Sequence, residues 1–216
     1  MFRRLSRISL AQKAFRKKDL EAAGKAHDLK RIGQEPHIED SSGYLPEFVY
    51  GGIDGAVTTF AVVAGVAGAQ LSIAIVLILG FANLIADGFS MAVSNYLSTK
   101  AERDFYFREK KREEWEVKHF PAEERQEVRE IFRSYGLKAK DLEKIVQVVT
   151  ADKKRWVDVM MKEELGLIEP RKSPLKTAAA TFIAFAVVGF IPLVTYVLSF
   201  FIPALLQNAF LIAALL

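Results

Sequence analysis

Four glutamates in the middle of this 216-residue chain stand in two pairs, Glu113 with Glu116 and Glu124 with Glu127. Residues three apart lie on one face of a helix. Pro121 stands between the pairs, and a break there lets two helices fold back so that four carboxylates converge. Grouped oxygen ligands suit divalent ions of hard or borderline character, and helical bundles use paired glutamates for di-iron sites. This stretch is rich in Glu throughout, so a solvated charged face explains the same spacing. The run Met160-Met161-Lys162-Glu163-Glu164 adds two thioethers and a further carboxylate. Met160 and Glu164, four apart, share a helix face. A thioether beside a carboxylate favours Fe(II) and similar ions over Mg(II) or Ca(II). Packing under an amphipathic helix is the ordinary alternative for both methionines.

A second group of polar residues stands where the surroundings are apolar. Asp54 interrupts one apolar stretch, and Asp87 and Met91 lie in the next, with Ser90 and Asn95 near them. A carboxylate inside a bilayer costs a few kcal/mol on insertion scales and usually faces a pathway or a partner. Asp54 follows Gly51-Gly52 closely, so a helix cap near the interface is the alternative. Met91 reads as packing by itself and as a soft ligand beside Asp87.

The elements that must position these residues follow from how charge is distributed. The composition is 51% hydrophobic yet 26% charged, and the two classes are segregated. No Lys or Arg occurs in residues 32–99, nineteen occur in 100–172, and 177–216 carries no charge of either sign. Alternating apolar and charged blocks describe a membrane protein with an aqueous domain. Residues 48–69 and 73–97 are each long enough to cross about 30 Å of hydrocarbon as a helix, and the short turn between them makes an antiparallel hairpin. Small residues recur in the first span, among them Gly51, Gly55 and Ala64, and permit close helix packing in lipid. A third span covers 175–201, kinked at Pro192. Residues 203–216 are apolar but short, and the chain reads as truncated within or just after a fourth span.

The resulting class is an all-α integral membrane protein. Its parts are a basic N-terminal arm (1–47), transmembrane helices 1 and 2 (48–99), an aqueous three-helix domain that carries the candidate metal ligands (100–172), and further transmembrane helices (173–216). Pro121 and Tyr135-Gly136 divide the aqueous part. Lys and Arg flank both ends of the hairpin, so the arm and the domain lie on the cytosolic side. Leu5, Ile8, Leu10 and Phe15 among basic residues make either an amphipathic helix at a lipid surface or a solvated tail. The cluster Pro36, Ser41, Ser42, Gly43 and Pro46 breaks the arm from the first span. The chain has no cysteine, which excludes disulfides and thiolate metal sites. A basic block beside apolar spans is explained by topology, and no nucleic-acid motif occurs. There is no secretory signal, which favours a prokaryotic plasma membrane over an organelle.

Taken together these residues resemble the vacuolar iron transporter family. The resemblance runs from about Tyr50 to the end. It rests on Asp54-Gly55-Ala56-Val57-Thr58-Thr59-Phe60, on Ala86-Asp87-Gly88-Phe89-Ser90-Met91-Ala92 with Asn95-Tyr96-Leu97-Ser98, on the two Glu-x-x-Glu pairs, and on Met160-Met161-x-x-Glu164-Leu165-Gly166-Leu167. It implies five transmembrane helices, the last missing here, and a homodimer with the ion path between the two first helices. It implies that Asp54 and Met91 line that path. It implies that Glu113, Glu116, Glu124, Glu127, Met160, Met161 and Glu164 collect the ion. It implies Fe(II) as cargo, with Mn(II), Co(II) or Zn(II) as alternatives, moved out of the cytosol in exchange for protons. A titratable Asp54 that takes either a proton or a metal would supply that coupling. Many members carry a Glu where this chain has Asn95, which removes one candidate coupling group. The expected function is therefore transport rather than catalysis, with lipid, divalent ions and protons as partners. The competing readings are a membrane-anchored metal-binding or di-iron carboxylate protein without transport, and a scaffold or sensor. Di-iron chemistry usually wants Glu-x-x-His pairs, and His119 stands outside one.

Overall fold

The computed structural model describes residues 7–26, 43–199, 201–202 and 209–215. Leu5, the Pro36, Ser41 and Ser42 part of the break, Phe200 and the 203–208 part of the last apolar stretch lie outside the described residues. The chain divides into two units, Met1–Pro46 and Glu47–Leu216. In the first, helices α1 (Arg7–Lys17) and α2 (Leu20–Ala26) are joined at Lys18 and Asp19. The Asp19 side chain accepts the Ala22 N–H at 2.9 Å, which caps α2.

Helix α3 (Leu45–Gly68), which lies in the second unit from Glu47 on, forms a hairpin with α4 (Ile73–His119), and both are long and apolar enough to cross a membrane. A bent pair, α8 (Pro174–Gly189) and α9 (Ile191–Ser199), makes a third span if the two halves are one crossing; they meet at 46°. Pro192 stands in the first turn of α9, where it has no N–H to continue the ladder from α8. A short α10 (Ala209–Leu215) follows. Large apolar side chains such as Ile53, Val57, Ile78, Ile85, Phe89 and Val187 point outward from these helices. A continuous apolar exterior of this kind calls for hydrocarbon as its solvent.

Within the spans, backbones touch. A Cβ on Gly51 would lie 2.6 Å from the Thr181 carbonyl oxygen, and one on Gly55 would collide with the Phe185 carbonyl. The Gly51-xxx-Gly55 spacing thus lets α3 lie directly against α8. Polar ties complete the bundle. Asn83 donates to Thr58 (3.2 Å) and Thr59 (3.3 Å), Asn95 donates to Thr181 (2.7 Å), and Thr99 shares a hydrogen bond with Thr177.

Helix α4 continues for 47 residues, a rod of about 70 Å. Its apolar run ends near Leu97, yet Lys100, Ala101, Glu102 and Arg103 are all good helix formers and nothing breaks the backbone. It ends at Phe120, the residue before Pro121, where the α conformation is disfavoured. Three short helical pieces then pack on this stem: α5 (Pro121–Ser134), α6 (Ala139–Thr150) and α7 (Lys153–Val159), which runs into a π-turn at Met160–Glu164. Leu142, Val146 and Val149 put one face of α6 into a core with Tyr106, Val117, Val128, Trp156 and Val157. Arg129 clamps α5 to α6 through both oxygens of Glu143, at 2.7 and 3.0 Å.

Candidate metal centre

Glu113 and Glu116 lie on the outer end of α4, and Glu124 and Glu127 lie in the first turns of α5. The reversal at Phe120-Pro121 turns one pair toward the other. One oxygen each from Glu113, Glu116 and Glu124 lies within 4.8 Å of the others. Oxygen ligands sit about 2.0–2.6 Å from Mg(II) or Ca(II), so ligands on opposite sides of an ion stand about 4–5 Å apart. The spacing fits one divalent ion.

Burial makes this group unusual. Glu113 is 1% exposed and Glu124 is 5% exposed. In each, Oε2 is buried with no hydrogen-bond partner among the described residues. A buried anionic oxygen left unpaired costs several kcal/mol, so such a group either binds a cation or takes up a proton. The tendency to take up a proton registers in acidity. Burial pushes Glu113 up to about 7, and the Glu164, Glu116 and Glu127 charges add to this while Arg112 opposes it. Burial likewise pushes Glu124 up to about 7, reinforced by Glu127, Glu113, Glu116 and Glu164. Glu164 is raised by desolvation of its carboxyl and by Glu127, against Arg112, although the residue as a whole reaches solvent. Glu127 is exposed and contributes through its charge. Five carboxylates therefore feel one another across α4, α5 and the π-turn.

Met160 and Met161 are 0% and 1% exposed and belong to the apolar core of the domain. The wider turn, in which Leu165 N–H bonds to the Met160 carbonyl, lets two consecutive residues point inward. Gly166, at φ +65°, closes the turn in the left-handed region. Next to Glu164, Glu163 accepts a short hydrogen bond from the Tyr135 hydroxyl, which ties the π-turn to the end of α5. His119 engages the Trp115 carbonyl at 2.7 Å and lies over the Trp115 ring, so its ring is committed outside the glutamate group.

Asp54 is half-buried on α3, one residue before the Gly55 crossing, and its carboxylate has no partner among the described residues. Asp87 and Met91 are one turn apart on α4. Asp87 is exposed on the surface of the span, and Met91 packs against the membrane core. Reading the sequence did not single out Arg112, and it marked Tyr135 only as part of the Tyr135-Gly136 break. Arg112 has a signal in its four-residue spacing to Glu116; Tyr135 has none, being 28 residues from Glu163.

The VIT family sequence pattern matches residues 45–216. The chain belongs to the VIT family. Its relatives include a vacuolar iron transporter of Toxoplasma gondii, 41% identical over 94% of this chain and 71% of that protein. A vacuolar iron transporter of Plasmodium falciparum is 38% identical over 87% of this chain and 71% of its own length. Vacuolar iron transporter 1 of Arabidopsis thaliana is 39% identical over 70% of this chain and 61% of its own. The VIT match begins at the start of α3, so it takes in the hairpin, the glutamate-bearing domain and α8 to α10 alike.

Proposed function

We propose that this protein carries Fe(II) across a membrane, outward from the cytosol and in exchange for protons, with Mn(II) as a second cargo and Co(II) and Zn(II) as weaker alternatives. It is a transporter rather than an enzyme. Glu113, Glu116, Glu124, Glu127 and Glu164, with Met160 and Met161, form the collecting site on the cytosolic side. Asp54, Asp87 and Met91 belong to the path through the bilayer. Either a plasma membrane or a vacuolar membrane would serve, since each separates the cytosol from a sink for the ion.

The observation that carries the reading is the pair of buried, unpartnered carboxylate oxygens on Glu113 and Glu124 within the 4.8 Å group. Their raised affinity for protons means that a metal arriving near neutral pH releases protons. The family relatives are named for iron transport. The homodimer is supported by the spans themselves. Asp87 is exposed and Asp54 is only half covered in a single chain, and an intramembrane carboxylate facing lipid is costly. A second copy against these faces would shield both.

Proteoliposomes loaded at acidic internal pH and given Fe(II) outside under anaerobic conditions test the reading. Uptake that depends on the pH gradient is expected for wild type and is expected to be lost in Asp54→Asn. Fe(II) binding without uptake would instead identify a membrane-anchored metal-binding protein.

A further inference from the structure

Arg112 reaches three carboxylates at once. Its Nε lies 3.0 Å from Glu109 Oε2, Nη2 lies 3.0 Å from Glu113 Oε1, and Nη1 lies 2.6 Å from Glu116 Oε2. Glu113 and Glu116 are two of the three residues in the close oxygen group, whereas Glu109 is not. Among the described residues no other cation pairs with Glu113 or Glu116. The guanidinium fork thus holds one oxygen each of Glu113 and Glu116, two of the carboxylates that an ion needs, while Glu113 Oε2 stays open. A divalent ion and a guanidinium on the same carboxylates compete, because two cations that close repel and each weakens the other's hold.

We propose that Arg112 is a displaceable counter-ion of the empty metal site, which an arriving ion evicts toward Glu109. The inference rests on the metal-site reading above. Its geometry supplies both ends of the exchange. The Arg112 side chain is 42% exposed and free to swing, and Glu109 stands one turn back on the same helix with its carboxylate already accepting the Nε–H. The exchange trades one positive charge for two. It keeps Glu113 compensated when no ion is present and lowers the net affinity for the ion. A collecting site that must hand its cargo on needs both properties. Arg112 is a positioning residue here, acting through the glutamates it holds.

The test is titration of Mn(II), followed by its electron paramagnetic resonance signal, into the full chain in detergent. Arg112→Gln is expected to bind Mn(II) about tenfold more tightly than wild type. Arg112→Lys, which keeps the charge and loses the fork, is expected to bind about threefold more tightly and carries the test if the glutamine variant is unstable. Glu109→Gln removes the retreat partner without touching the oxygen group, and a several-fold weakening is expected. A structural role alone would weaken binding in all three variants. Arg112 variants that bind as wild type does, or more weakly, overturn the proposal while leaving the metal site standing. No Mn(II) binding by wild type overturns the site itself and this inference with it.

Discussion

Removing the ion should make this protein less stable as pH rises through neutrality, the reverse of the usual behaviour of carboxylates. Glu113 and Glu124 are raised from 4.5 to about 7 in the folded state. Between those values the native chain holds more protons than the unfolded one, so stability falls with pH across that window. The contribution is fully present below about pH 4.5 and gone above about pH 7. At about 1.4 kcal/mol per pH unit, each group accounts for roughly 3 kcal/mol. The two are coupled through their own repulsion, so the pair is worth roughly 3–6 kcal/mol rather than a simple sum. The chain's two tryptophans, Trp115 and Trp156, both lie in the glutamate-bearing domain. Thermal melts of the full chain in detergent, read by intrinsic fluorescence, therefore report on that domain. A loss of about 3 kcal/mol corresponds to a fall in Tm of more than about 10 °C for a domain of this size. Mn(II) at 100 times its Kd is expected to offset about 2.7 kcal/mol of the fall. The double variant Glu113→Gln, Glu124→Gln is expected to show a shallower profile, with the raised Glu164 left to contribute, and no response to the ion. A wild-type Tm that is level or rising between pH 5 and 8 in chelator would refute the argument.

Other consequences follow from single contacts. Gly55→Ala places a Cβ into the Phe185 carbonyl and is expected to cost about 1–3 kcal/mol or more, seen as a lowered unfolding midpoint in detergent; Gly65→Ala, with open space around it, is the matched control and should be neutral. Tyr135→Phe removes the bond that holds Glu163 and is expected to weaken Mn(II) binding about three- to tenfold, with little change in the melt of the apo protein. Asn95→Ala loses the tie to Thr181, about 0.6 kcal/mol by analogy with other intramembrane hydrogen bonds, and should leave the pH dependence of Fe(II) uptake unchanged. A shifted pH profile in that variant would mean that Asn95 takes part in proton coupling after all.

The spans were legible because hydrocarbon imposes a long, uncharged run, and the turn at Pro121 because proline forbids the preceding residue its helical geometry. The glutamate spacing gave the shared faces, but convergence depended on the fold-back, which spacing alone leaves open against a solvated face. What stayed hidden has a physical cause in each case. The change at residues 97–100 is a change of side-chain polarity and not of backbone, so composition marks a boundary that α4 simply crosses. The π-turn at Met160–Glu164 has no composition of its own; it arises because the core of the domain accepts both methionines. Tyr135 meets Glu163 only through tertiary folding. Asn95 read as the loss of a coupling group, and the hydrogen bond to Thr181 gives it a packing role that sequence could not distinguish.

The length of α4 constrains how the two proposed sites work together. Met91 and Glu113 are on one unbroken helix, 22 residues apart, which is about 33 Å. No side chain spans that gap, and a rod without proline or glycine between the two points has no hinge to close it. An ion held at the glutamates must therefore leave them completely before it meets Asp54, Asp87 or Met91. Tight binding at the first site would raise the barrier to that departure by as much as it favoured capture. Five carboxylates without a counter-ion would err in that direction. Arg112 on one side of the group, and protons on Glu113 and Glu124 on the other, compete with the ion for these carboxylates and supply the return force. On this argument the affinity of the collecting site is set by what replaces the ion, not only by what binds it.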